Sequence, residues 1–369
     1  MCKMDNRKFT EGSVIKGKDL MDCILCKILS EDMLMQGFQY KMGMNEDIKP
    51  LAMSGSCGAG LHFCLVKDVG RYLDYGNKLA VVSIPDEEDV YVDDRKFRTH
   101  RMVIETVMPF GETAAWEYLY EHRADITADS NYAVKWAAGN GHLEVVKYLY
   151  EQGADITACN NYAVECAAGN GHLEVVKYLH GQGADITADS NYALRWAAEN
   201  GHLEVIKYLY EQGADITAKN NEAMSLAAGN GHLEVVKYLY EQGADITADD
   251  NYAIRLAVYR GHLEVVKYLH EHGADITAGN NCAIRNAAEN GHLEVVKYLY
   301  EHGADIMAWD NYAIRKAAER GHLEVVKYLC RNGAGITVFN HYCTPIQALK
   351  IIIWKQLDRC IRKTGTWKH

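Results

Sequence analysis

Gly141-His142-Leu143-Glu144-Val145-Val146-Lys147-Tyr148-Leu149 recurs at 171–179, 231–239, 261–269, 291–299 and 321–329, and at 201–209 with Ile206 replacing one valine. Each copy begins 30 residues after the previous one. A fixed period of this length marks a solenoid, in which one small unit stacks on copies of itself. Working outward from the nonapeptide, seven tandem units fill residues 131–340. Each unit breaks into two short helices. The first spans about 132–139 and carries the adjacent small residues Ala137 and Ala138, which let a neighbouring helix approach closely. Asn140-Gly141 ends it. The second runs about 143–151, with Leu143, Val146, Leu149 and Tyr150 on one face. Gly153 stops it, and Ala154 to Ala158 reads as an extended link. Such a unit cannot bury its face alone, so its neighbours must supply the other wall.

The repeats begin in degenerate form at 107–130, where 114–126 (AAWEYLYEHRADI) matches the second half of a unit. Ahead of them, 13–106 has no 30-residue period and reads as a separate small α+β domain, preceded by a polar tail over 1–12 that is expected to be flexible. Residues 19–35 (DLMDCILCKILSEDMLM) show helical spacing at Leu20, Ile24, Leu25, Ile28 and Leu29. A helix is also expected at 66–75, and strands at 61–64, 78–84, 90–92 and 102–107. Behind the array, 341–369 reads as a cap over its last apolar face.

Composition narrows the function. Among 369 residues, 39 Lys plus Arg stand against 50 Asp plus Glu, a net charge of −11 with no basic run. Such a chain repels phosphate backbones, so no nucleic-acid partner is expected. Neither a signal peptide nor a 20-residue apolar span is found, and no membrane association is expected. The 11 cysteines are scattered and odd in number, which suits a reduced, intracellular protein.

Gly-His-Leu-Glu-Val-Val-Lys followed by Glu-x-Gly-Ala-Asp-Ile resembles the ankyrin repeat over about 230 residues. The resemblance implies an ankyrin-type α-solenoid that binds another protein. Units of that family usually run to 33 residues, with a hairpin and Thr-Pro-Leu-His opening the first helix. Here Tyr162-Ala163-Val164-Glu165 stands in that place, so the fingers should be stunted; only Thr344-Pro345-Ile346-Gln347 approaches the tetrapeptide. The period and the leading domain together resemble the ankyrin proteins of giant DNA viruses such as mimiviruses. Residues 38–47, Gly58 to Phe63, Tyr75-Gly76 and 90–103 carry the second part of that likeness. Small phage domains share a Cys before Gly-Leu-His-x-Cys and a later Tyr. A viral, host-directed scaffold in the host cytoplasm, working as a monomer, is the implied reading. One alternative places an enzymatic or ligand-binding activity in the leading domain, where Gly60-Leu61-His62-Phe63 with Tyr72 and Tyr75 resembles ADP-ribosyltransferase cores. Another reads the tail as an F-box-like ubiquitin-ligase adaptor, as in poxviral ankyrin proteins.

Site residues follow from what repeats and what does not. His142 and its counterparts are expected to hydrogen-bond a neighbouring backbone, and Asp155 and its counterparts to form turns. Cys23, Cys26, Cys57 and Cys64 offer four thiolates, but the first two lie in an apolar run where cysteine packs as a small hydrophobe. No metal, cofactor or catalytic residue is expected. Position five of the unit reads Lys135, Glu165, Arg195, Ser225, Arg255, Arg285, Arg315, beside Trp136 and Trp196 at position six. Link tips carry Lys219, Asp250 and Trp309. Lys135, Trp136, Arg195, Trp196, Lys219, Asp250, Arg255, Arg285, Trp309 and Arg315 are therefore the expected partner-binding residues. Of these, Lys135, Arg195, Arg255, Arg285 and Arg315, beside Trp136 and Trp196, are expected to form a solvated basic and aromatic stripe of the kind found at interfaces.

Overall fold

The computed structural model describes residues 9–47, 60–93 and 95–335. It forms two compact units, 1–185 and 186–369.

The first unit opens with short strands: β1 (Val14–Lys16), β2 (Leu25–Leu29), β3 (Leu34–Met35), β4 (Phe38–Gln39), β5 (Gly43–Glu46), β6 (Leu61–Leu65), β7 (Lys78–Ser83), β8 (Asp89–Asp93), β9 (Lys96–Thr99) and β10 (Arg101–Pro109). Eight of them make one antiparallel sheet in the order β1-β8-β9-β6-β2-β7-β10-β5, while β3 and β4 pair as a hairpin. One face builds a core from Leu25, Leu29, Phe63, Val82, Phe97 and Ile104. Against the other face, β2 and β6 meet the 3-10 helix Val66–Tyr75, which buries Val66, Val69 and Leu73.

The helix expected over 19–35 is instead a 3-10 turn, Gly17–Leu20, followed by β2 and β3. β2 lies between β6 and β7, and all five of its residues are buried. A strand covered on both faces reads as a continuous apolar run, which periodicity cannot separate from a buried helix. The tail also differs from expectation at its end. Phe9 meets Phe97 edge-on at 5.4 Å, and Gly12 N–H donates to Val92 O at 2.9 Å. The stretch Ser54-Gly55-Ser56-Cys57-Gly58-Ala59, whose glycines read as a loop, and the expected cap at 341–369 lie outside the described residues.

Helices follow: α1 (Thr113–Glu121), α2 (Ala128–Gly139), α3 (Leu143–Glu151), α4 (Ala158–Gly169) and α5 (Leu173–Gly181). Val134, Ala137, Ala138, Val145, Val146 and Leu149 are buried. Within α2, Asp129, Ser130 and Asn131 have φ of 51°, 58° and 61°, so regular helix begins at Tyr132. Three left-handed residues in succession replace the family's hairpin finger. The conformation is tolerated because Asp and Asn adopt it more readily than other side chains. The link expected to be extended is a turn, in which Thr157 N–H and Oγ1 both donate to Asp155 Oδ1, at 2.8 and 2.7 Å.

Two ladders tie each repeat to the next. Asn131 Oδ1 accepts from Asp155 N–H and Asn161 Oδ1 from Asp185 N–H, each at 2.8 Å. His172 Nε2 lies 3.1 Å from Gly139 O, the backbone bond expected of the repeated histidines. That ring explains Gly141. Its φ is +76°, and an added Cβ would stand 2.6 Å from His172 Nδ1.

The second unit repeats this arrangement in α6 (Ala188–Glu199), α7 (Leu203–Glu211), α8 (Ala218–Gly229), α9 (Leu233–Glu241), α10 (Ala248–Arg260), α11 (Leu263–Glu271), α12 (Ala278–Glu289), α13 (Leu293–Glu301), α14 (Ala308–Arg320) and α15 (Leu323–Arg331). The asparagine ladder continues through Asn191, Asn221, Asn251, Asn281 and Asn311, with N···O distances of 2.8–3.0 Å. His232 and His292 reach Glu199 O and Tyr259 O at 2.9 Å.

Candidate interaction surface

In the second unit the position-five arginines fold back onto carbonyls of the left-handed tips. Arg195 donates through Nε to Ser190 O at 3.1 Å and through Nη2 to Asp189 O at 2.9 Å. Its Nη1 pairs with Glu222 of the next repeat at 2.6 Å, and it lies over the Tyr192 ring. Arg255 reaches Asp250 O, Arg285 Gly279 O and Arg315 Trp309 O, at 3.4, 3.0 and 3.2 Å. Arg195 is only 5% exposed and Arg285 8%. The expected solvated stripe is therefore corrected for these two. Their charge is spent inside the scaffold, capping the tip and stacking on rings. The signal was present in the Asn- and Asp-rich tips, but no sequence rule connects those tips to an arginine five or six residues on.

Outward-facing residues remain. Lys219 and Asp250 are exposed at the tips, as is Trp309 at 59%. Trp309 covers the Arg285 guanidinium at 4.3 Å. Beside it, Met307 is 55% exposed where most units have threonine, a substitution that the sequence reading passed over. Tyr252 and Tyr259 are exposed on α10. Trp196 is half-buried, its ring 5.7 Å from Tyr192, and Arg255 and Arg315 are half-buried.

Lys135 and Trp136 lie in the first unit, in a cleft of about 640 Å³. One wall carries Glu31, Asp74 and Asn77, the other Tyr132, Tyr162, Cys166 and Asn170. Tyr132 hydroxyl donates to Asp74 Oδ1; burial first and then this carboxylate push the phenol's pKa up. Lys135 Nζ lies 5.8 Å from the Tyr132 ring centre, 5.9 Å from that of Tyr162 and 3.6 Å from Cys159 Sγ. Trp136 is anchored by Phe110 at 5.7 Å, Trp116 at 6.1 Å and His142 at 5.3 Å. Trp116 Nε1–H donates to Phe110 O at 2.8 Å, fixing that cluster.

The sheet holds other titratable groups. Lys27 is 6% exposed; its Nζ donates to His62 O at 2.8 Å and sits 4.4 Å from the Tyr40 ring centre, and burial lowers its pKa to about 7. Burial likewise holds His62 at about 4, with Nε2 unpartnered. Cys26 faces Cys64 across β2 and β6, and burial pushes both thiols up, Cys26 to about 12. Such thiols are packed, protonated groups rather than ready thiolates. Among the described residues no three His, Cys, Asp or Glu side chains stand together to hold a metal, and no helix is long and apolar enough to cross a membrane. Cys57 lies outside them.

Family models for ankyrin repeats match 164–250 and 224–310 (three copies), 134–180 (many copies) and 311–341 (a single repeat). A model of a domain of unknown function (DUF7666) matches 23–115. The uncharacterized protein R869 of Acanthamoeba polyphaga mimivirus is 31% identical over 140 residues, covering 32% of this chain and 92% of that protein. Ankyrin repeat proteins R229 and R868 of the same virus are 28% and 29% identical, each over 33% of this chain. The matches span only 43% and 63% of their lengths. The human ASB11 ankyrin repeat domain is a similar solved structure, with a TM-score of 0.49 and 22% identity over 55% of this chain and 99% of that one. The chain belongs to the ankyrin-repeat family and resembles its mimivirus members, with a domain of unknown function ahead of the repeats.

Proposed function

We propose that the repeats form a rigid scaffold holding a partner protein on the surface made by their tips and first helices. One observation carries this reading. Units that are nearly identical at buried positions differ at outward-facing tips, where Lys219, Asp250 and Trp309 occupy equivalent or adjacent places and Met307 adds exposed apolar area. Large aromatic and apolar side chains held on a preformed surface are what interface anchors require, and a rigid surface needs little ordering on binding.

We propose the same division of the chain as the sequence implies: a small domain at 13–106, repeats at 107–340 and a cap at 341–369. The two compact units part at 185/186, inside the repeats. The chain acts by binding rather than catalysis, as a monomer in the host cytoplasm, and its target is a host protein. The mimivirus relatives support the viral part, and the net charge of −11 supports a protein rather than a nucleic-acid partner. Affinity purification of the full chain from host-cell lysate, in parallel with the Lys219→Ala/Asp250→Ala/Trp309→Ala variant, tests this. A protein retained by the parent and lost by the variant supports the surface. Equal recovery on both contradicts it.

A further inference from the structure

We propose that the Arg285 guanidinium, beside the exposed Trp309, receives an aspartate or glutamate side chain from the partner protein. This rests on the reading of the repeats as a protein-binding surface and adds the chemistry of what is bound. The repeats themselves show the arrangement. Arg195 directs Nε and Nη2 to Ser190 O and Asp189 O of its own tip, which leaves Nη1 to meet Glu222 of the next repeat at 2.6 Å. Arg255 has a carboxylate in its own tip, Asp250 at 3.5 Å. At the two places equivalent to Glu222 and Asp250, Arg285 has Tyr312 and Asn280. Among the described residues it is in no ion pair and makes one hydrogen bond, from Nη2 to Gly279 O at 3.0 Å. Its Nε is buried without an acceptor. The Trp309 and Tyr312 ring centres lie 4.3 and 5.4 Å away, which positions the charge without neutralising it. Neighbouring carboxylates are taken: Arg320 holds Glu289 and Lys316 holds Glu319, each at 2.8 Å, and Asp310 at the next tip is not paired with Arg285. A buried charge calls for a paired, hydrogen-bonding counter-charge, and the guanidinium fork matches a carboxylate. Glu222 shows that a guanidinium this deep can be reached from the surface. Arg195 is 5% exposed, yet the Glu222 side chain on it remains 38% exposed.

Tyr312→Glu separates binding from scaffolding, because it reproduces the pair that Arg195 and Glu222 already make in this chain. It supplies the carboxylate from within and closes the site, whereas Tyr312→Gln has the same length without the charge and leaves the site open. A random nine-residue peptide library displayed on phage would be panned on the full chain, and the enriched peptides measured against the parent, both Tyr312 variants and Trp309→Ala. The net charge of −11 repels acidic peptides at large, so their enrichment reports a local site. The expected result is a shared Asp or Glu, affinity at least tenfold weaker for Tyr312→Glu than for Tyr312→Gln with the parent's circular dichroism retained in both, and weakening with added salt. Three results overturn the proposal: no enrichment, peptides without a common acidic residue, or equal affinity for Tyr312→Glu and Tyr312→Gln. Peptides that lack an acidic residue but are weakened by Trp309→Ala leave the scaffold reading standing and remove only the carboxylate site.

Discussion

At the scale of the residue, Lys27 works against stability at neutral pH. The unfolded chain keeps its proton up to about 10.5, whereas the folded chain releases it near 7 because burial penalises the ammonium. Across that window the unfolded state binds the additional proton, so this group makes stability rise with pH. Lys27→Met should therefore raise stability by about 1–4 kcal/mol near pH 7, as exchanges of buried charge for apolar side chains do. The gain should shrink as pH approaches 10. Thermal melts of both proteins at pH 7 and pH 10 test this, and a gap that does not narrow with pH contradicts it. Arginines divide in the same way. Arg285→Ala removes a buried guanidinium stacked on Trp309 and bonded to Gly279 O, and should cost about 1–3 kcal/mol. Arg255 pairs with an exposed Asp250 at 3.5 Å, and its replacement should stay within about 0.5 kcal/mol. Denaturant midpoints of the two single variants decide this, and equal losses would contradict it. Histidine and aspartate roles were legible in the sequence because each recurs at one fixed place in every unit, the aspartate serving its own turn and the histidine the backbone of the preceding repeat. The arginines were not, because what they bond to exists only once the tip has turned left-handed.

Among elements, the tip turn governs how one repeat meets the next. Asn221 is left-handed at φ 61°, and its Oδ1 accepts from Asp245 N–H at 2.8 Å. Asn221→Ala adds conformational strain to the loss of the bond, about 2 kcal/mol together. Asn221→Gly loses the bond but relieves the strain, so it should be the milder change. Chemical denaturation of the pair separates the two contributions; alanine and glycine destabilising equally would show that the strain is absent. The shortened finger could be read from a period of 30 instead of 33, but its left-handed form could not, because Asp, Ser and Asn runs suit several kinds of turn. β2 shows the opposite limit. Leu25 to Leu29 are hydrophobic enough to be helix or strand, and only their place between β6 and β7 selects the strand.

For the whole molecule, function follows from repetition with selective variation. Alanine pairs, valines, ladder asparagines and histidines recur because every repeat needs the same walls, while Lys219, Asp250, Met307 and Trp309 differ at exposed places outside those walls. A surface outside the repeat-to-repeat walls can be shaped by a partner. The most direct test is site-specific photo-crosslinking in host-cell lysate, with p-benzoylphenylalanine placed singly at Tyr252, at Trp309 and, as a control, at Lys207 on the second helix α7. The account predicts adducts with the same host protein from positions 252 and 309 and none from 207. Adducts from 207 alone, or none at 252 and 309, would contradict it.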